Sequence, residues 1–276
     1  MAEKGLIEQV AQKGNIFLDQ VQEIKGQIMG QCKRHPGIWY PVIAPAESLD
    51  VFGKYIAVAC PECDKECEEW QEGQRKKEKD LRVRNLIRHA CLPPKHLEFL
   101  NKHPSVLPYC EGQAQAFSLF WKTIQRPHTG AILYGNQGTG KSLMLSWGIF
   151  RLAKEELAGF YTTALEIYQE WKRDFQHEIE FRDTLCSYDI LAIDEADIFP
   201  RHRADRGIEG IWFLLNQIIT RRIDNDLPIW LATNATLQEL EEIYGSRSIR
   251  RILQDGIAIE CNWNSYRDFN FIGREQ

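Results

Sequence analysis

Between residues 131 and 234, short apolar runs alternate with longer stretches in which apolar positions recur every three or four residues. The runs predict strands at AILY (131–134), FYTT (160–163), DILAID (189–194) and PIWLATN (228–234). The longer stretches predict helices at KSLMLSWGIFRLAKEE (141–156), ALEIYQEWKRDF (164–175) and GIEGIWFLLNQIITRR (207–222). Strand and helix in alternation mean right-handed crossovers, hence an α/β fold with a parallel sheet and helices on both faces.

The first third of the chain has a different pattern. Leu6, Val10, Phe17, Val21, Ile24 and Ile28 form a stripe at helical spacing, interrupted by Gly14, which predicts one amphipathic helix or two. Such a face either docks on a partner or packs on its own domain. Residues 30–68 mix prolines with short β-branched and aromatic runs, as expected of a small hairpin module. A charged helix is expected over 68–91, ended by Pro93 and Pro94. Within it QRKKEKDLRVRNLIR (74–88) has seven basic residues against two acidic, a segment that either touches DNA or serves as a soluble spacer. These changes divide the chain into an N-terminal domain, 1–90, and a second domain, 91–276.

Composition narrows the classes. With 276 residues, 43% of them hydrophobic, the chain has ample material for a core. The net charge of −5 gives no global sign of nucleic-acid binding, so a basic surface must be local. No apolar run reaches the roughly 18–20 residues that span a bilayer, and the N-terminus lacks the apolar core of a secretory signal. The expectation is a cytoplasmic protein without a membrane partner. Eight cysteines then point to metal ligands rather than disulfides.

The stretch after the first predicted strand of the alternating region, GNQGTGKS, fits the phosphate-loop pattern GxxxxGKS and leads into a predicted helix. Gly135, Asn136, Gln137, Gly138, Thr139 and Gly140 would wrap backbone N–H groups around the phosphates of ATP at a helix N-terminus. Lys141 would neutralise the outer phosphates and Ser142 would ligate Mg2+. DILAIDEAD places Asp194 at the C-terminal edge of the sheet, where it can hold the hydrated Mg2+, with Glu195 positioned to polarise an attacking water. Asn234 ends a further strand and either orients that water or caps the next helix.

Two pairs, Cys32-x2-His35 and Cys60-x2-Cys63, have the spacing of a structural Zn2+ site, with Cys67 an alternative to His35. Four protein ligands leave no open position, so the metal would fold a zinc-ribbon-like module and do no chemistry.

The three strand ends together resemble the P-loop AAA+ ATPase core. That resemblance implies a five-stranded parallel sheet and, with only 42 residues after Asn234, a shortened C-terminal lid. The run from EGQAQAF through GNQGTGKS, LAIDEAD, LLNQIITRR, LATN, YGSRSIRRI and NWNSYR resembles the DnaC-type replicative helicase loaders, with the IstB transposition ATPases as relatives. The likeness covers about residues 90–270. It implies an ATPase that binds a hexameric DnaB-type helicase, delivers it to single-stranded DNA and self-associates on the ring. It further implies that residues 1–90 contact the helicase, that Arg251 is the arginine finger and that Arg267 is the sensor arginine. Arg247, Arg250 and Arg251 share a predicted helix, whose solvated face is the plainer account of them. The family's DNA-contacting segments fall on EWKRDF and FPRHRADR, the latter more basic than the family pattern. There Lys172, Arg173, Arg201 and Arg203 suit a phosphate backbone and Phe175 a stacked base, and the same charges also suit a solvated surface. Two other readings stay open: a transposition ATPase acting on duplex DNA, and an adaptor that uses ATP only as a switch.

Overall fold

The computed structural model describes residues 18–24, 27–41, 60–103, 111–126, 128–173, 177–197 and 206–265. The chain divides into two compact units, Met1–Lys79 and Asp80–Gln276.

In the first unit β1 (Leu18–Ile24), β2 (Gln27–Cys32) and β3 (Trp39–Pro41) form an antiparallel sheet in that order. Val21 faces Gly30 and Ile24 faces Gln27 across the first pair. The helix expected over Leu6–Ile28 is therefore replaced by strands at Val21, Ile24 and Ile28, while Leu6, Val10 and Phe17 lie outside the described residues. β-branched residues at those three positions favour extended pairing and glycines at 26 and 30 disfavour a helix, which the coincidental spacing of the apolar residues concealed. Helix α1 (Pro61–His89) begins seven residues before the expected start, so the second cysteine pair lies at a helix N-terminus instead of in a hairpin. Pro61 opens it, Glu62 and Asp64 lie in its first turn, and Arg88 in its last, each charge placed to oppose the helix dipole. None of its side chains is buried.

The second unit is built on a parallel sheet of order β5-β6-β7-β4-β8. Helices α2 (Pro94–Lys102) and α3 (Glu111–Ile124) precede β4 (Ala131–Gly135) and α4 (Lys141–Ala153). There follow β5 (Gly159–Thr163), α5 (Ala164–Arg173), α6 (Glu178–Ser187), β6 (Ile190–Asp194), α7 (Arg206–Asp224) and β7 (Ile229–Ala232). After α8 (Leu237–Tyr244) and α9 (Ser246–Gln254), β8 (Ile257–Cys261) pairs with β4. This fifth strand completes the sheet that the AAA+ resemblance implies.

Alternate strand residues point to opposite faces and separate two cores. Leu133, Ala192 and Trp230 pack with α3 and α4, whereas Ile132, Ile193 and Leu231 pack with helices α5 to α9. The edge of β5 is covered where the Tyr161 N–H donates to Ala90 O at 2.9 Å. At the N-terminal edge of the sheet Arg222 is 0% exposed. Its guanidinium donates to the carbonyls of Leu185, Tyr188, Asp189 and Pro228 at 2.8–3.3 Å. It thereby ties the end of α6 to the starts of β6 and β7. Burial pulls its pKa down to about 10, which still leaves it charged at neutral pH.

Candidate functional site

The loop between β4 and α4 folds as a phosphate cradle because three of its glycines have positive φ: Gly135 (116°), Gly138 (78°) and Gly140 (92°). A Cβ on Gly135 would lie 2.7 Å from Cys261 O. The first turn of α4 has no side-chain cap, which leaves its N–H groups facing outward for an anion. Asn136 and Gln137 are exposed at the loop tip. Thr139 is buried, its hydroxyl donating to Asn136 O at 2.9 Å. The end of β8 and the residues after it support the loop: Asn136 N–H donates to Cys261 O at 2.9 Å and Trp263 Nε1 to Thr139 O at 3.0 Å.

Lys141 is 6% exposed. Its Nζ donates to Gly135 O (2.9 Å), Asn136 O (2.6 Å) and Asn234 Oδ1 (3.0 Å). Burial pulls the ammonium pKa down against the upward pull of Cys261, Asp194 and Asp197. All three donors of the lysine are thus engaged on the cradle, and an incoming phosphate must exchange for those acceptors. Ser142 follows, half-buried in the first turn of α4.

Asp194 ends β6 and is 7% exposed. Tyr161 OH donates to its Oδ2 at 2.6 Å, and the Glu195 N–H to its Oδ1 at 2.9 Å. Glu195 itself turns out of the strand with φ 50° and is exposed. Partial desolvation of the carboxyl, then Asp194, Asp197 and Glu166, hold its pKa above the ordinary glutamate value, which makes it the better proton acceptor. Asn234 donates its N–H to Asp197 Oδ1 at 3.2 Å. It is not the cap of α8, because Thr236 fills that position with a capping box to Glu239. Lys141 and Asn234 therefore meet directly. Tyr161, Asp197 and Trp263 join the site without having been assigned a role from the sequence; Asp197, in the LAIDEAD run, and Trp263, in NWNSYR, carried a signal.

The outer residues are less gathered. Arg251 on α9 is paired with Asp224 at the end of α7, its side chain 27% exposed. Lys172 lies over the Tyr168 ring and Arg173 pairs with Glu170, both exposed in the last turn of α5. Phe175, Arg201, Arg203 and Arg267 lie outside the described residues.

In the first unit the ligand atoms of Cys32, His35, Cys60 and Cys63 all lie within 4.8 Å of one another. His35 Nδ1 is 3.6, 3.7 and 3.4 Å from the sulfurs of Cys32, Cys60 and Cys63. The first pair sits on a tight knuckle closed by Ile38 N–H to His35 O (3.1 Å), with Gly37 at φ 101°. Cys67 is exposed, one helical turn away, and accepts from Gln71 Nε2 at 3.5 Å. Three sulfurs and one imidazole nitrogen at these spacings fit the tetrahedral preference of Zn2+. The other ring nitrogen of His35 reaches Glu66 Oε1 at 3.0 Å, while Arg34 holds Oε2 at 2.9 Å. Burial and the neighbouring Cys32 push the Cys63 thiol up to about 12, a crowding that a cation would relieve.

A parallel sheet with a phosphate cradle after β4, an acidic pair after β6 and a polar strand end at Asn234 defines a P-loop nucleotide-binding fold of the AAA+ type. No family model matches the chain. It is 26% identical over 166 residues to the replicative helicase loader DnaC of Escherichia coli (strain K12), covering 57% of this chain. The chain spans 65% of that relative's length. Its fold matches AMPPCP-bound DnaA from Aquifex aeolicus with TM-score 0.51 and 20% identity, over 67% of this chain and 56% of the other. A replication initiator DnaA bound to AMPPCP and single-stranded DNA matches with TM-score 0.51 and 21% identity, over 67% and 55%. The chain is thus similar, over somewhat more than half its length, to the DnaC-type AAA+ helicase loaders. No described helix is long and apolar enough to cross a membrane.

Proposed function

We propose that this chain is an ATP-dependent loader that binds a hexameric DnaB-type helicase and delivers it to single-stranded DNA in the cytoplasm. The observation that carries the reading is the convergence of Lys141, Asn234 and Asp194 at one edge of the sheet, in a chain similar to DnaC. The phosphate loop, residues 135–142, would hold the ATP phosphates, with Lys141 turning from the loop carbonyls to the outer phosphate. Ser142 and Asp194 would hold Mg2+, whose charge offsets that developing on the phosphates. Glu195 would take the proton of the lytic water, which Asn234 orients, giving ADP and phosphate. Arg251 would serve a neighbouring subunit's site after release from Asp224, and Arg267 would complete its own.

Residues 1–90 form the helicase-contacting part in this reading, folded around Zn2+ by Cys32, His35, Cys60 and Cys63. The DNA surface combines Lys172 and Arg173 with Phe175, Arg201 and Arg203. Self-association follows the helicase ring. The test is a pull-down of the host's replicative helicase with and without ATP, paired with single-strand and duplex binding. Wild type should capture the helicase with ATP and prefer single strands, Lys141→Ala should lose at least tenfold in ATP affinity, and Glu195→Gln should trap the complex. No helicase capture, or a preference for duplex, refutes the loader reading, the latter in favour of a transposition ATPase. Normal function in Glu195→Gln would leave ATP as a switch.

A further inference from the structure

The residue that holds Asp194 comes from neither nucleotide motif. Tyr161 lies on β5, opposite Ala192 of β6, two positions before the Thr163–Asp194 pair. Its side chain is 5% exposed, and its hydroxyl is the donor to Asp194 Oδ2 at 2.6 Å. The Glu195 N–H serves the other oxygen. A carboxylate at a strand end is otherwise free to rotate about its last torsion, which for such groups is broad. Here one donor on each oxygen fixes its plane. Each oxygen keeps a further lone-pair direction, so a water of a hydrated cation can bind without displacing either donor. The backbone of Tyr161 is fixed as well, through its N–H to Ala90 O.

We propose that Tyr161 is a positioning residue of the nucleotide site: its hydroxyl holds the Asp194 carboxylate in the orientation that meets hydrated Mg2+. This rests on the Mg2+-nucleotide reading above. A tyrosine that merely satisfies a buried acid would affect stability alone, whereas a positioning tyrosine also sets how much Mg2+ the site needs. Asp194 is therefore the reporter, and Tyr161→Phe, which removes one oxygen and keeps the ring, is the perturbation.

The full chain, wild type and variant, is titrated with Mg2+ at fixed fluorescent ATP analogue, and thermal midpoints are recorded in parallel. Tyr161→Phe is expected to bind the analogue in EDTA as wild type does, but to need about tenfold more Mg2+ for half-maximal response, as for loss of one charge-assisted hydrogen bond. Asp194→Asn should abolish the response, and adding Tyr161→Phe to it should change nothing further. A Tyr161→Phe protein with the wild-type Mg2+ midpoint, whatever its thermal midpoint, overturns the proposal. A wild type that binds the analogue indifferently to Mg2+ overturns the Mg2+ assignment and this proposal together, so the two failures are distinguishable. Should Tyr161→Phe not fold, Tyr161→Leu, which is smaller than the ring and carries no donor, serves instead. An unchanged Mg2+ midpoint there is equally fatal.

Discussion

Replacing Arg222 by methionine keeps most of the side-chain volume and removes every donor. The carbonyls of Leu185, Tyr188, Asp189 and Pro228 then lose their guanidinium partner. A buried acceptor left unsatisfied costs about 1–3 kcal/mol, but carbonyls at helix and strand ends recover some water, and the buried cation's own desolvation cost disappears. The expected net loss is about 3–5 kcal/mol. For a domain of this size that is roughly 6–20 °C in Tm. Arg222→Lys should recover part of it, since an ammonium offers three donors from a single point where the guanidinium spreads five over a plane. The assay is urea unfolding of the full chain followed by far-UV circular dichroism, with ATP affinity measured at low temperature. Because Arg222 lies at the edge of the sheet opposite Asp194 and Asn234, the affinity should stay within about threefold of wild type, a shift under 1 kcal/mol. A loss below about 1 kcal/mol in Arg222→Met would show that the four carbonyls do not depend on the guanidinium.

Three further outcomes follow from the described geometry. Cys60→Ser should abolish zinc retention, read by elemental analysis, and Glu66→Ala should weaken zinc affinity by about 10–100-fold through loss of the carboxylate that fixes the His35 ring. A chelator competition giving wild-type affinity in Glu66→Ala would refute the second. His96, whose Nδ1 lies 2.8 Å from Ser146 Oγ, has its pKa lowered by burial. The unfolded chain therefore takes up this proton first as pH falls below about 6.5, so the contribution is complete above that value and is lost below it. His96→Gln should show a smaller decline in thermal midpoint between pH 7.5 and pH 5.5 than wild type, and an equal decline would remove His96 from the account.

The nucleotide-binding unit was legible because its strands are short apolar runs and its helices carry long apolar stripes. Gly135, Gly140, Lys141 and Ser142 stand at spacings that steric and electrostatic demands on a phosphate cradle impose. Strand β8 carries a weaker signal, because IAIEC holds the exposed Glu260 within it and is not a continuous apolar run. In the first unit Val21, Ile24 and Ile28 are compatible with helical and extended periods alike, and only the pairing of β1 with β2 decides between them. The Tyr161 contact is tertiary, made across 33 residues, and no local pattern announces it. The carbonyl cluster around Arg222 is likewise invisible until two strand starts and a helix end are brought together. The cysteine pairs were readable by spacing, but Glu66 joins them only because α1 begins at Pro61 and turns that carboxylate toward His35.

The segment under the phosphate loop also bears on how the protein is made. Asn136 and its support at Asn262 are 126 residues apart, and Trp263 reaches back to Thr139. During synthesis the glycine turn leaves the ribosome long before its floor exists, and only β8 and the two residues after it complete it. On the proposed reading, firm ATP retention would then report that β8 has been made and folded against the loop.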